Sequence, residues 1–234
     1  MRGERRGKPV MPLGRMLLMT LAACSALPAH GCTDPERERL KATTKPSYDK
    51  VTGKLTELTY DANKNGRIDT WTEMDGTRPL RSRIDANEDG RVDRWEYYDL
   101  TGRLSRVGFS RSMKDQPDAW AYSTPAGRID RIEISSTADP ARIDRWEFYD
   151  TSSAATDPGP DGAAPLLRVE EDTNHDGRPD KWERYADGTV QAAEFDEDRD
   201  GRPDRRLTYK DDALVLIETA PDTSGRYTRS LAPK

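Results

Sequence analysis

The sequence predicts an all-β chain: a repetitive array of antiparallel β-hairpins, with a repeat of about 24 residues and roughly six units, forming an open twisted sheet or a solenoid. Three observations predict it. All five tryptophans fall in one register, Trp71, Trp95, Trp120, Trp146 and Trp182, with Arg206 in the sixth, at spacings of 24, 25, 26, 36 and 24. A fixed period of this size marks an array whose units cannot bury their apolar faces alone. Within each unit an aromatic run meets a Gly-containing turn and then a β-branched run, the pattern of a hairpin. Finally, no segment keeps apolar residues at i, i+3, i+4 and i+7 for three turns, and Gly or Pro interrupts every dozen residues, which disfavours helix.

Residues 1–23 read as a lipoprotein signal peptide. Met1 to Arg15 is basic, and Met16-Leu-Leu-Met-Thr-Leu-Ala-Ala23 begins an apolar stretch too short to span a bilayer. Leu21-Ala-Ala-Cys24 resembles the lipobox of bacterial lipoproteins, which makes Cys24 the lipidated residue, with Cys32 in Ala29-His-Gly-Cys32 as the alternative. The resemblance implies an exported protein, lipid-anchored in the bacterial cell envelope. Arg5-Arg6 lacks the apolar residues of a twin-arginine signal. Residues 24–46, charged and aperiodic, read as a flexible tether.

The repeat domain occupies residues 47–234. It opens with a half unit, Tyr48-Asp-Lys-Val-Thr-Gly53-Lys-Leu55. A full unit reads Arg94-Trp-Glu-Tyr-Tyr-Asp-Leu-Thr-Gly-Arg-Leu-Ser-Arg-Val-Gly-Phe109: strand, turn with Gly in the left-handed position, strand. The frame recurs at Trp120 to Ile132 and at Trp182 to Val190, and the array closes near Tyr227. The 36-residue unit holds an insertion loop, 151–165, rich in small residues and proline. Trp and Tyr three apart, as in Trp95 and Tyr98, Trp146 and Tyr149, and Trp182 and Tyr185, fall on opposite faces of a strand. Both faces then carry aromatics, which favours an open sheet with thin cores over a closed sandwich.

Composition constrains how such an array holds together. Hydrophobic residues make up 33% and charged residues 35% of the chain, and Leu, Ile, Val and Phe together number 34 of 234, with mean hydropathy −0.97. That is below the level of a well-cored globule. Residues 1–23 hold five basic and one acidic residue, leaving 33 basic against 42 acidic and a net charge near −9. Nucleic acid is not a natural partner of so acidic a chain, and Asp93, Glu96, Asp144 and Glu147 beside the Arg-Trp pairs predict a solvated, salt-bridged face.

The most specific signal is a nonapeptide written four times. Its oxygen-bearing positions 1, 3, 5 and 9 are Asp61, Asn63, Asn65 and Asp69; Asp85, Asn87, Asp89 and Asp93; Asp172, Asn174, Asp176 and Asp180; and Asp196, Asp198, Asp200 and Asp204. Glycine stands at position 6. Ca²⁺ takes six to eight oxygens at roughly 2.3–2.6 Å, and alternate side chains around a sharp turn supply them. Position 7, an arginine in each loop, would add its carbonyl. Asn65 makes the first loop the weakest, and registers Ser110 to Asp118 and Ser136 to Asp144, which keep only the last Asp, are predicted empty.

These loops resemble those of EF-hand and dockerin proteins, and more closely bacterial thrombospondin type 3 repeats, with D-x-D-x-D-G-x-P-D in the fourth. The resemblance implies calcium at an affinity of roughly 10⁻⁴–10⁻³ M. Position 12 departs from an EF-hand: Thr72, Glu96, Glu183 and Leu207 stand there, and Pro179 and Pro203 at position 8 lack the N–H of its loop-pairing bridge. Trp95-Glu-Tyr-Tyr-Asp-Leu-Thr-Gly-Arg-Leu104 resembles the YD repeat of bacterial surface and toxin-shell proteins, which implies sheets built of successive hairpins.

With His30 and His175 as the chain's histidines, Ser-His, Cys-His and zinc chemistry lack their groups, and the chain is expected not to be an enzyme. Two roles remain: a calcium-binding, lipid-anchored envelope repeat protein with a structural or adhesive role, or a module binding an envelope protein or glycan through its aromatic face, with calcium as scaffold.

Overall fold

A computed structural model describes residues 43–112, 115–152 and 164–233. Its fifteen elements are all strands: β1 (Thr44–Tyr48), β2 (Leu55–Tyr60), β3 (Thr70–Asp75), β4 (Arg78–Ile84), β5 (Arg94–Tyr98), β6 (Leu104–Phe109), β7 (Ala119–Ser123), β8 (Ile129–Ile134), β9 (Arg145–Tyr149), β10 (Leu166–Glu171), β11 (Lys181–Ala186), β12 (Thr189–Phe195), β13 (Arg205–Lys210), β14 (Ala213–Pro221) and β15 (Tyr227–Leu231). Each pairs antiparallel with the next, so the order β1 to β15 is one uninterrupted meander. The sheet is open, as expected, and is not closed into a barrel. β1 begins inside the stretch assigned to the tether, and Pro46 is tolerated there because an edge strand has one side without ladder bonds. The signal peptide, Cys24, Cys32 and most of the insertion loop lie outside the described residues.

Several hairpin turns are built by their first aspartate, with Thr124 in its place between β7 and β8. Asp99 accepts hydrogen bonds from the Thr101 hydroxyl, the Arg103 amide and the Thr101 amide at 2.6, 2.9 and 2.7 Å, which hold its carboxyl below the usual range. Gly102, at φ 80°, donates to the Asp99 carbonyl at 3.0 Å and reverses the chain. Asp222, Ser224, Gly225 and Arg226 repeat this arrangement. Next to the turns the register slips, as between Tyr97 and Tyr98 or Arg184 and Tyr185, a bulge that strengthens local twist.

Cross-strand pairing explains the tryptophan register. Trp71, Arg83, Trp95, Gly108, Trp120, Glu133, Trp146, Glu170, Trp182 and Glu194 form one row across successive strands, so each indole sits between charged or small neighbours. On the same face Tyr97, Arg106, Tyr122, Arg131, Phe148 and Arg168 alternate in a second row. The Arg106 guanidinium lies 4.4 Å from the Tyr97 ring centre and 4.8 Å from Trp120; Arg131 lies 4.2 Å over Tyr122 and Arg168 3.8 Å over Phe148. Such contacts contribute about 0.5–1 kcal/mol each when exposed. Arginine stems thus cover the aromatics that a second layer would cover elsewhere.

The opposite face is the more buried one, although Trp95 and Glu194 of the tryptophan row are buried too. Val107, Ala121, Ile132, Val169 and Ala193 share its rows with Glu96, Glu147 and Glu183. An apolar cluster of Ala119, Ala121, Ile132 and Ile134, flanked by Phe109, Ile129 and Tyr149, lies at β7 and β8, in the middle of the array. Each of the three glutamates is closed by a tyrosine two residues on: Tyr98, Tyr149 and Tyr185 donate to Glu96, Glu147 and Glu183 at 2.6 Å. Arg94, Arg145 and Lys181, two residues back, pair with the same carboxylates at 2.6, 2.9 and 2.7 Å. Burial, followed by the adjacent carboxylate, pushes the three tyrosine hydroxyls up. The predicted solvated face is corrected here: Asp144 and Glu147 are buried and Asp93 and Glu96 half-buried, because they belong to the loop edge and the inner face.

Gly108 shows how tightly the tryptophan row is set. A Cβ there would stand 2.9 Å from Pro117 Cβ and 3.0 Å from the Trp120 ring. Gly108→Val should lower stability by about 1–3 kcal/mol through overpacking, read as a drop in the urea midpoint together with altered Trp120 fluorescence.

Candidate metal centres at the loop edge

Six long loops join β2 to β3, β4 to β5, β6 to β7, β8 to β9, β10 to β11 and β12 to β13, all at one end of the strands. They include the four nonapeptides. The first residue of each loop donates its amide to the carbonyl of the last residue of the loop before: Asp85 to Asp69, Ser110 to Asp93, Ser135 to Asp118, Asp172 to Asp144 and Asp196 to Asp180, at 2.8–2.9 Å. The fourth register therefore begins at Ser135, one residue before the sequence placed it. Positions 1 and 9 continue the ladder, and this draws their side chains in. Asp61, Asp69, Asp85, Asp172, Asp180 and Asp196 are buried, as are Asp118 and Asp144 of the degenerate registers.

Inside each nonapeptide the oxygen-bearing side chains turn toward the loop's own amides. Position 1 accepts from the glycine at position 6: Gly66 to Asp61, Gly90 to Asp85, Gly177 to Asp172 and Gly201 to Asp196, at 2.6, 2.9, 2.8 and 2.8 Å. Position 3 accepts from position 5, as Asn63 from Asn65, Asn87 from Asp89, Asn174 from Asp176 and Asp198 from Asp200. Position 5 accepts from position 7, as Asn65 from Arg67, Asp89 from Arg91, Asp176 from Arg178 and Asp200 from Arg202. Position 9 accepts from positions 2 and 3, as Asp93 from Ala86 and Asn87, and Asp204 from Glu197 and Asp198. Positions 4 and 6 have positive φ: Glu88 at 59° and Gly90 at 90° in the second loop. The glycine value lies beyond the left-handed region that other residues visit, which is why position 6 is glycine.

Two observations make the fourth and second loops candidates for holding a cation. Asp196, Asp198 and Asp204 bring one carboxylate oxygen each to within 4.8 Å of one another, an acidic cluster able to hold a metal ion. Asp200 stands outside that trio. In the second loop Asp85 is 6% exposed, and its Oδ1 is buried without a hydrogen-bond partner among the described residues while Oδ2 binds Gly90. A buried carboxylate oxygen without a donor is costly unless a cation lies beside it. Burial, with the charges of Asp85 and Asp89, pushes the Asp93 carboxyl above its usual value against the Asn87 and Ala86 amides. The donor set, hard oxygens from carboxylates and asparagine amides, suits Ca²⁺ or Mg²⁺ and not a thiophilic metal.

The degenerate registers supply their own partners for the last aspartate. Arg111 Nε lies 3.3 Å from Asp118 Oδ1, and Arg111 Nη2 donates at 2.7 Å to the Ser135 carbonyl of the next loop. Asp118 is thereby held below the usual carboxylate range: burial raises it, but the Arg111 amide, the Ser112 hydroxyl and amide and the Arg111 charge outweigh burial. Asp144 accepts from the Ser136 amide and hydroxyl, and His175 Nδ1 lies 3.5 Å away.

Sequence reasoning missed the contacts between loops. Glu88 reaches Asn63, Asn65 and Arg67 of the first loop; Asp115 accepts from Val92 of the second at 3.0 Å; His175 reaches Asp144. Only the repeat period, which stacks each loop on the last, hinted at them. Glu96 and Glu183, at position 12, bind tyrosines on the sheet, as the rejection of an EF-hand requires. A cleft of about 300 Å³ lies between the last two nonapeptides, lined by Thr173, Asn174, Asp180, Phe195, Asp196, Glu197 and Arg199.

No protein-family model and no curated protein matches the chain. Among solved structures, it is similar in part to S. aureus TarM in complex with Fondaparinux, alpha-GlcNAc-glycerol and UDP, at 12% identity over 42% of this chain and 21% of that one, TM-score 0.30. It is similar to the GtfA/B complex at 18% identity over 55% and 20%, TM-score 0.29. It is similar to the Photorhabdus luminescens Tc holotoxin pore at 14% identity over 79% and 11%, TM-score 0.21. The chain thus spans about a fifth or less of each of these proteins. Against the expectation that the chain is no enzyme stand these partial likenesses to TarM and GtfA/B, and the expectation is not retained. Likenesses of this depth identify no catalytic residue and no substrate here.

The Asp118 arrangement fixes the sign of one pH effect. Its folded value is lowered, so its contribution is fully present above the ordinary value of 3.8 and is lost as pH falls through the lowered value. Denaturant titrations in chelator at pH 6 and pH 3 should show this loss, and Asp118→Asn should cost about 1–3 kcal/mol at pH 6 and reduce the difference between the two pH values.

Proposed function

We propose that this chain is a calcium-binding repeat protein of the bacterial cell envelope, held to a membrane by a lipid on Cys24, or Cys32, and serving a structural role. The convergence of Asp196, Asp198 and Asp204 carries the reading, and the unpartnered Asp85 oxygen supports it in a second loop. Calcium is preferred to magnesium because mixed carboxylate, amide and carbonyl donors on a curved loop suit a large, flexible coordination shell better than a strict octahedron. The ligands are the side chains at positions 1, 3, 5 and 9 of the four nonapeptides: Asp61, Asn63, Asn65 and Asp69; Asp85, Asn87, Asp89 and Asp93; Asp172, Asn174, Asp176 and Asp180; Asp196, Asp198, Asp200 and Asp204. The resemblance to thrombospondin type 3 and YD repeats agrees with this role. Ions bound at the loop edge would neutralise the stacked carboxylates, so the array is stiff where millimolar calcium is present, as outside the cell.

The rival, a module that grips a protein or glycan with its aromatic face, has less in its favour. Arginine side chains lie over Tyr97, Trp120, Tyr122 and Phe148, and the large exposed apolar residues, Tyr48, Val51, Leu80, Leu100, Leu167, Val215 and Leu231, include no tryptophan.

Melting the purified protein in EDTA and in millimolar Ca²⁺ tests the reading. At about one to ten times a dissociation constant of roughly 10⁻⁴–10⁻³ M, millimolar Ca²⁺ adds about 0.4–1.4 kcal/mol per filled site, so four filled sites together raise Tm by several degrees. Asp196→Ala should remove part of that gain. Equal melting temperatures, with no heat of binding, would refute calcium binding.

A further inference from the structure

The first nonapeptide carries a chemical lability that the other three lack. The chain has four asparagines, Asn63, Asn65, Asn87 and Asn174, and of these only Asn65 is followed by glycine. Lys64, Glu88 and His175 follow the others, each with a Cβ that crowds its own main-chain nitrogen. That nitrogen is the atom able to attack the side-chain carbonyl of a preceding asparagine, and glycine hinders the attack least. At loop position 5, where the first loop has Asn65, the other three hold the carboxylates Asp89, Asp176 and Asp200.

The fold gathers the groups that such an attack needs. Asn65 is exposed, and a Cβ built on Gly66 meets nothing within 4 Å, so the space for ring closure and for water is open. The Gly66 N–H, which must lose its proton, donates to Oδ2 of the buried Asp61 at 2.6 Å, within the reach of a general base. The Arg67 amide donates at 2.9 Å to Asn65 Oδ1, the oxygen on which negative charge develops as the nitrogen adds. That bond also bends the Asn65 side chain back over the Gly66 peptide as an Asx turn. Asn65 Nδ2, the nitrogen that would leave, lies 2.5 and 2.6 Å from the two carboxylate oxygens of Glu88.

We infer that Asn65 is a self-modification site, deamidated to aspartate by the groups of its own loop. The Gly66 nitrogen bonds to Asn65 Cγ as its proton passes to Asp61. The Cγ–Nδ2 bond then breaks, and the departing nitrogen takes that proton and leaves as ammonia. Water adds to Cγ of the five-membered imide and breaks the Cγ–N bond, which restores the Gly66 amide and leaves a carboxylate on residue 65. The first loop then holds the Asp, Asn, Asp, Asp set of the second and third loops. Toward Glu88, residue 65 changes from a donor to a like charge, so the bridge between the first and second loops parts. The reaction needs no cation and stands whether or not the calcium reading holds.

Peptide mapping by mass spectrometry of the full chain, fresh and after incubation at pH 8 in chelator, tests this. Residue 65 should become aspartate while Asn63, Asn87 and Asn174 stay amides, and fragmentation beside residue 65 separates aspartate from its isoaspartyl isomer. Conversion in the folded chain should run about tenfold faster than in the same chain held in urea, where only the sequence acts. Asp61→Asn, with tryptophan fluorescence confirming the fold, should slow conversion about tenfold or more. The comparison with urea uses the parent chain and so does not depend on how that variant folds. If the folded parent converts no faster than the chain in urea, the Asp61 and Arg67 bonds protect the amide and the inference is wrong. An isoaspartyl product without aspartate overturns it as well.

Discussion

The hydrogen bond from the first amide of each long loop to the last carbonyl of the loop before it is the constraint on which this molecule depends. A fifteen-stranded sheet with so few large apolar residues has little interior to hold successive hairpins in register. The bonds from Asp85 to Asp69, Ser110 to Asp93, Ser135 to Asp118, Asp172 to Asp144 and Asp196 to Asp180 extend the ladder past the strands and stack the loops. The stacking buries most of the aspartates at positions 1 and 9, and a buried carboxylate must be answered by amides or by a cation. Backbone geometry and metal chemistry are therefore one problem: the bonds that align the units are the bonds that collect the charge.

The array answers that charge in two ways. At its two ends the loops carry asparagine and aspartate at positions 3 and 5, whose side chains accept from the loop's own amides. In the middle, Arg111 and the Ser136 and His175 groups answer Asp118 and Asp144 from within the protein. The apolar cluster of β7 and β8 lies between those two degenerate registers. Hydrophobic packing is thus strongest where the nonapeptide is missing, so no part of the sheet relies on one device alone. The two faces divide similarly, with arginine laid over aromatics on one and glutamate closed by tyrosine and a base on the other.

Much of this was legible in the chain. The tryptophan period, the Asp-x-x-Gly turns and the absence of helical periodicity point to a hairpin array, because strand alternation and turn chemistry are local and survive in one unit of sequence. The nonapeptides were legible for the same reason: positions 1, 3, 5, 6 and 9 act within one loop, and the structure folds each upon its own amides. The single meander follows from short connections, which leave successive strands nowhere to pair but with each other. The solvated reading of Asp144 and Glu147 failed because burial at the loop edge arises between units, not within one.

What the sequence by itself determined is the repeat, the hairpin and the nonapeptide turn with its oxygen-bearing positions, all governed by residues within about ten positions of each other. What only the tertiary structure decided is which charges meet: Glu88 beside Asn63 and Asn65, Arg111 across to Ser135, His175 at Asp144. Those partners stand more than twenty residues apart, and they meet only after the loops have stacked. Electrostatic pairing depends on distance in space, and the backbone ladder sets that distance.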